Sequence, residues 1–122
     1  MDKILVIDDD VDILTLVKMS LVLNGFNVEA VSQWEHIDNR IVGFKPDLIL
    51  LDVSLAGADG RVICKRIKAA EETMHIPVIL FSANTEIEKA AGDCNAQAFI
   101  SKPYELAHLL KTIRKTLDES KA

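Results

Sequence analysis

The chain has 122 residues, 49% of them apolar, and 14 basic against 19 acidic side chains leave a net charge of −5. That length and core content suit one domain over residues 1–122, and the acidic balance speaks against direct nucleic-acid binding, which needs a basic surface for the phosphate backbone. No apolar run reaches membrane-spanning length and no basic stretch leads into an apolar one with a cleavage site, so a cytoplasmic protein with no membrane partner is expected.

In chain order, residues 3–7, "KILVI", read as a first strand that ends on three adjacent acids, Asp8, Asp9 and Asp10. Asp10 precedes "VDIL" and suits the N-cap of a helix whose apolar positions are Ile13, Leu14, Val17 and Leu21, with Gly25 as its stop. A weaker strand, 27–31 "NVEAV", precedes a second helix marked by Trp34, Ile37 and Ile41 and ended by Gly43 and Pro46. The third strand is 47–51, "DLILL", followed by Asp52; Gly60 then opens a helix through Ile63, Ile67 and Ala70. The fourth strand is 77–81, "PVILF", followed by Ser82. Ile87, Ala90, Ala91 and Cys94 outline a fourth helix after Asn84, rich in small residues and expected to be marginal and mobile. Residues 98–101, "AFIS", form a last strand before Lys102, and Leu106, Leu109, Leu110, Ile113 and Leu117 mark a fifth helix after Pro103. The closing "DESKA" looks like a frayed end.

Five strand–helix units in strict alternation predict an α/β fold, a parallel sheet with helices on both faces and right-handed crossovers. The continuous apolar runs fit strands buried on both sides. Cys64 and Cys94 match no metal or redox spacing and read as reduced core thiols, while His36, His75 and His108 are scattered and read as surface residues. Ligands of open parallel sheets bind beyond the carboxyl ends of the strands. Asp8, Asp9, Asp52, Ser82 and Lys102 all follow strands and should meet there. Clustered carboxylates are hard oxygen ligands suited to Mg²⁺, which keeps several waters. With the charge offset, an aspartate in such a set can attack phosphorus and form an acyl phosphate.

The pieces "ILVIDDD", "PDLILLDVSLAGADG", "IPVILFSA" and "AFISKPYE" together resemble the receiver domain of two-component response regulators across essentially the whole chain. The resemblance implies a flavodoxin-like, doubly wound three-layer fold with five strands in the order 2-1-3-4-5 and five helices. It implies that Asp52 accepts a phosphoryl group from a sensor histidine kinase or a phosphotransfer protein. Asp9 would be the more direct Mg²⁺ ligand and Asp8 would act mainly through water, with Asp52 and the backbone carbonyl of Ser54 completing the protein's share; Mn²⁺ is the alternative ion. Ser82 matches the Ser/Thr switch position, Ala83 the small residue beside it, and Lys102 the lysine that contacts the phosphoryl group. Lys102–Pro103 matches a cis peptide. Phe99 matches the aromatic that swings inward when the switch hydroxyl moves. The output surface would be the fourth helix, fifth strand and fifth helix, with a kinase docking beside the first helix, whose flank carries Lys18 and Met19. A phosphorylation-dependent homodimer and an unidentified output partner or effector domain also follow from the resemblance.

The chain departs from the family at Ala56, where a proline is usual; this should loosen the loop after Asp52. Ser54 and Asn84, both short and polar, occupy positions that tune the lifetime of the acyl phosphate. The resulting expectation is a signalling switch rather than a metabolic enzyme. Three other readings compete. A small Asp-dependent phosphatase would carry its nucleophile in a DxD arrangement on the first strand with a different turn after it. A flavin or nucleotide site would need a Gly- or Ser/Thr-rich loop instead of an acidic one. A receiver-like docking module that is never phosphorylated would be expected to have lost a site residue.

Overall fold

The computed structural model describes residues 1–82, 94–101 and 105–121. The elements in chain order are β1 (Lys3–Ile7), α1 (Val11–Leu23), β2 (Asn27–Val31), a 3-10 turn (Trp34–His36) running into α2 (Ile37–Phe44), and β3 (Leu48–Asp52). A two-residue ribbon follows, β4 (Ser54–Leu55) and β5 (Ala58–Asp59), then α3 (Gly60–Ala69), β6 (Val78–Ser82), β7 (Ala98–Ser101) and α4 (Leu106–Lys121). Here α4 is the helix expected fifth. Of the expected fourth, Ile87, Ala90 and Ala91 lie outside the described residues, and Cys94 sits in a turn.

The main sheet has the order β2-β1-β3-β6-β7 with every neighbouring pair parallel. Leaving the ribbon aside, this is the expected 2-1-3-4-5. The period-two alternation of strand side chains divides the apolar runs between two cores. Leu5, Ile7, Ile49, Leu51, Val78 and Leu80 face α2 and α3, meeting Ile37, Ile41, Ile63 and Ile67. Ile4, Val6, Leu48, Leu50, Ile79 and Phe81 face α1 and α4, meeting Leu14, Val17, Leu21, Leu109, Ile113 and Leu117. All five residues of β3 and of β6 are buried, as central strands require, whereas β2 and β7 at the edges are only partly covered.

The strand ends differ from the sequence reading by one residue. β3 and β6 run through Asp52 and Ser82 because the backbone ladder continues past the last apolar side chain: Asp52 pairs with Phe81, and Ser82 with Ser101. α1 is capped as expected, Asp10 accepting from the backbone N–H groups of Asp12 and Ile13 at 3.1 and 3.3 Å. α2 passes through Gly43 and stops on Lys45, which adopts a left-handed φ of 54°. α3 ends one residue short of expectation, with Ala70 already extended. The C-terminal end is not frayed over residues 118–121. α4 is anchored by buried Leu117 and continues to Lys121, whose ammonium lies 2.6 Å from an Asp2 carboxylate oxygen. Among the described residues no helix is long and apolar enough to cross a membrane.

Leu80→Ala, which empties a fully buried position, is expected to lower the unfolding free energy by about 2–5 kcal/mol. Val42→Ala, 74% exposed on α2, should change it by no more than about 0.5 kcal/mol. Urea unfolding followed by circular dichroism checks both, and equal losses would contradict the assignment of these faces.

Candidate functional site

The register of β1 against β3 builds the site. Ile7 pairs with Leu51, so the next residues, Asp8 and Asp52, leave neighbouring parallel strands side by side. Asp8 is fully buried and Asp52 only 4% exposed, while Asp9 is open to solvent. Each of the three offers a carboxylate oxygen, and these oxygens lie within 4.8 Å of one another. The three acids after β1 thus divide their work: Asp8 and Asp9 join Asp52, and Asp10 caps α1.

Backbone donors orient the buried pair. The Asp10 N–H donates to Asp8 Oδ1 at 3.0 Å, and the Ser54 N–H donates to Asp52 Oδ1 at 3.1 Å. Both are short-range turns of the chain back onto an aspartate, a conformation this side chain favours. Ser82, 3% exposed, ends β6 one residue past Phe81, the register partner of Asp52. Phe99 lies opposite Leu80 on β7, half-buried against the core under α2 and α3. Lys102, Pro103, Asn84 and Ala83 lie outside the described residues.

The loop after Asp52 is more constrained than the missing proline suggests. Ser54 pairs with Asp59 and Leu55 with Ala58, and the turn between them carries Gly57 at φ 81°. A positive φ at the third turn position, with none at Ala56, is the type II arrangement. The Trp34 indole Nε1–H donates to the Ala56 carbonyl at 2.9 Å and ties the turn down from the other side. Asp59 then caps α3, accepting from the Arg61 N–H at 2.9 Å. The Arg61 guanidinium, 2.6 Å away, holds the Asp59 carboxyl below the usual carboxylate range. Gly60 abuts the site itself: a Cβ there would lie 2.1 Å from the Asp52 carbonyl oxygen. Gly60, expected as the opening of a helix, also abuts Asp52, and Trp34, expected as an apolar helix position, is also a hydrogen-bond donor. "DG" ahead of a helix was the available signal for the cap; nothing in the sequence pointed to the indole bond.

The donor set fits a hard cation. It consists of carboxylate oxygens, and with Asp9 exposed it faces water, as suits an ion that keeps part of its hydration shell. Among the described residues this is the one group of three or more candidate ligands. Both cysteines are buried thiols, with Cys64 Sγ 3.5 Å from the Cys94 carbonyl oxygen, and burial pushes the Cys64 thiol well above its ordinary range. His36, His75 and His108 are exposed.

Residues 4–114 match the sequence profile of the response regulator receiver domain. The DNA-binding dual master transcriptional regulator RpaA of Synechocystis is 34% identical over 96% of this chain and 49% of its own length. The response regulator MprA of Mycobacterium avium is 30% identical over 98% of this chain and 52% of its own. The chain therefore spans about half the length of these curated relatives. Among solved structures, the CheY-like receiver domain protein of Methanospirillum hungatei superposes with a TM-score of 0.90 at 25% identity, covering 99% of this chain and 97% of that one.

Gly60→Ala should cost about 1–3 kcal/mol in urea unfolding, the usual range for forcing atoms into a filled space. Gly43→Ala, within α2 and with nothing within 4 Å of the new Cβ, should instead stabilise by about 0.5–1 kcal/mol. A harmless Gly60→Ala would contradict the close approach to Asp52.

Proposed function

The chain belongs to the response regulator receiver domain family, and from that premise we propose that Asp52 is the residue that takes the phosphoryl group. The observation that carries this assignment is the meeting of Asp8, Asp9 and Asp52 at one strand edge, with Asp52 oriented by the Ser54 N–H. The donor is a phosphohistidine of a sensor kinase or of a phosphotransfer protein. An Asp52 carboxylate oxygen forms a bond to phosphorus as the phosphorus–nitrogen bond to the donor imidazole breaks. The imidazole nitrogen keeps the electron pair, and Asp52 becomes an acyl phosphate. Water attacking the phosphorus later releases inorganic phosphate and restores the carboxylate. The protein is a self-resetting switch and turns over no metabolite.

Asp8, Asp9, Asp52 and the Ser54 carbonyl would hold Mg²⁺, or Mn²⁺ in its place. When bound, the ion offsets the charge of the carboxylates and of the incoming phosphoryl oxygens. Ser82 donates its hydroxyl to a phosphoryl oxygen, Lys102 contributes its ammonium, and Phe99 follows Ser82 inward to change the face around β7 and α4. Ser54 and Asn84 set the lifetime of the acyl phosphate.

Partners beyond this site follow from the surface and the relatives. Leu16, Met19 and Leu23 are 58–84% exposed and form a stripe at helical spacing on α1, an apolar face of the kind that marks docking sites. A kinase helix is the natural occupant. The acidic chain leaves nucleic-acid contact to an output domain, and the switch acts in the cytoplasm as one receiver unit over residues 1–122.

Incubation with acetyl phosphate and Mg²⁺ is expected to add one phosphoryl group to the intact mass. Omitting Mg²⁺ or introducing Asp52→Ala abolishes the gain. Failure to label the wild-type protein, under conditions that label another receiver, would leave a receiver fold used only for docking.

A further inference from the structure

We infer that Trp34 is a positioning residue for the acidic site, holding from outside the loop that orients Asp52. Trp34 is the chain's one tryptophan and lies on the 3-10 turn after β2, an element that contributes no member of the acidic trio. Its ring is half-buried and packs, with Ala58, against the core under α2 and α3. Its Nε1–H crosses to the Ala56 carbonyl at 2.9 Å, a bond spanning 22 residues of sequence.

What Ala56 belongs to gives this bond its reach. Ala56 and Gly57 form the turn that closes the β4–β5 ribbon, and the first residue of that ribbon, Ser54, donates its N–H to Asp52 Oδ1. The contacts therefore run without a gap from the indole through the turn and ribbon to a carboxylate of the site. The second position of a type II turn is where proline would restrict φ covalently. Alanine there leaves φ free, and the indole replaces the ring's restraint with a hydrogen bond. If Trp34 served only to fill the edge of the core, its N–H would be dispensable and phenylalanine would serve as well.

The inference rests on reading Asp8, Asp9 and Asp52 as a cation site, and the test separates the two. Isothermal titration of Mg²⁺ into the full chain compares wild type, Trp34→Phe, and Trp34→Phe combined with Ala56→Pro. Phenylalanine keeps a ring on the core and removes the donor. Mg²⁺ binding to Trp34→Phe is expected to be about threefold to tenfold weaker, the weight of one net hydrogen bond in a binding constant. Adding Ala56→Pro, which stiffens the turn covalently, should bring the affinity back to within about twofold of wild type. In acetyl phosphate labelling, Trp34→Phe should raise the Mg²⁺ concentration for half-maximal rate and leave the rate at saturating Mg²⁺ unchanged. Equal Mg²⁺ affinity in wild type and Trp34→Phe would overturn the positioning role and leave the cation site standing. A loss that Ala56→Pro does not repair would assign the effect to ring packing and overturn the role as well. A wild-type protein that binds no Mg²⁺ would overturn the cation site and this role with it.

Discussion

Two like-charged side chains held side by side by a hydrophobic sheet are the constraint on which the rest of this structure turns. β1 and β3 are central strands, and their register is set by burial on both faces: a one-residue slip would exchange every side chain between the two cores. With Ile7 opposite Leu51, Asp8 and Asp52 have no choice but to emerge together. The burial of the apolar runs supplies the force that overcomes the repulsion of the acids. Burying a carboxylate without compensation is costly, and the chain answers with backbone donors, Asp10 N–H for Asp8 and Ser54 N–H for Asp52. Asp9 stays exposed and keeps the group open to solvent.

The loop after Asp52 is where this arrangement meets its second constraint. Gly60 must lack a Cβ because α3 begins against the Asp52 carbonyl, so the ribbon between them is short and tight. The Gly60 N–H closes it further by donating to the Val53 carbonyl at 2.8 Å. Asp59 fixes its far end by capping α3 and gripping Arg61. The near end is fixed by Ser54 on Asp52. That leaves the turn at Ala56, where Trp34 binds. Every part of the loop is thereby tied to a different neighbour, which explains how a chain with alanine at the proline position still presents an ordered ribbon.

What could be read in the sequence follows from what each signal encodes. Continuous runs such as "LILL" and "VILF" report burial on both faces, and burial is what makes β3 and β6 central. They stop one residue early because side-chain polarity changes at Asp52 and Ser82 while backbone pairing does not. The acidic trio was legible because the topology alone brings strand ends to one edge. Their unequal exposure was not, since adjacent aspartates differ only in which way the turn aims them. The order of α4 out to Lys121 was hidden for a related reason. A polar tail reads as solvated, and only the fold shows that Leu117 is buried and that Asp2 lies within reach of Lys121. Trp34 was visible as an apolar helix position. Periodicity places its ring on the core and says nothing about which carbonyl, 22 residues on, its N–H will meet.

α1 joins the chemistry to recognition. Its N-cap, Asp10, directly follows Asp9, so the helix begins at the edge of the acidic group. Its inner face is spent on Leu14, Val17 and Leu21, which lie in the core it shares with α4. The opposite face carries exposed Leu16, Met19 and Leu23, at intervals of three and four residues. An exposed apolar stripe of this kind marks an interaction surface. If Asp52 takes the phosphoryl group as proposed, a donor docked on α1 is held at a fixed distance and angle from it, and that placement, more than any acid–base chemistry, is what phosphoryl transfer demands of a protein.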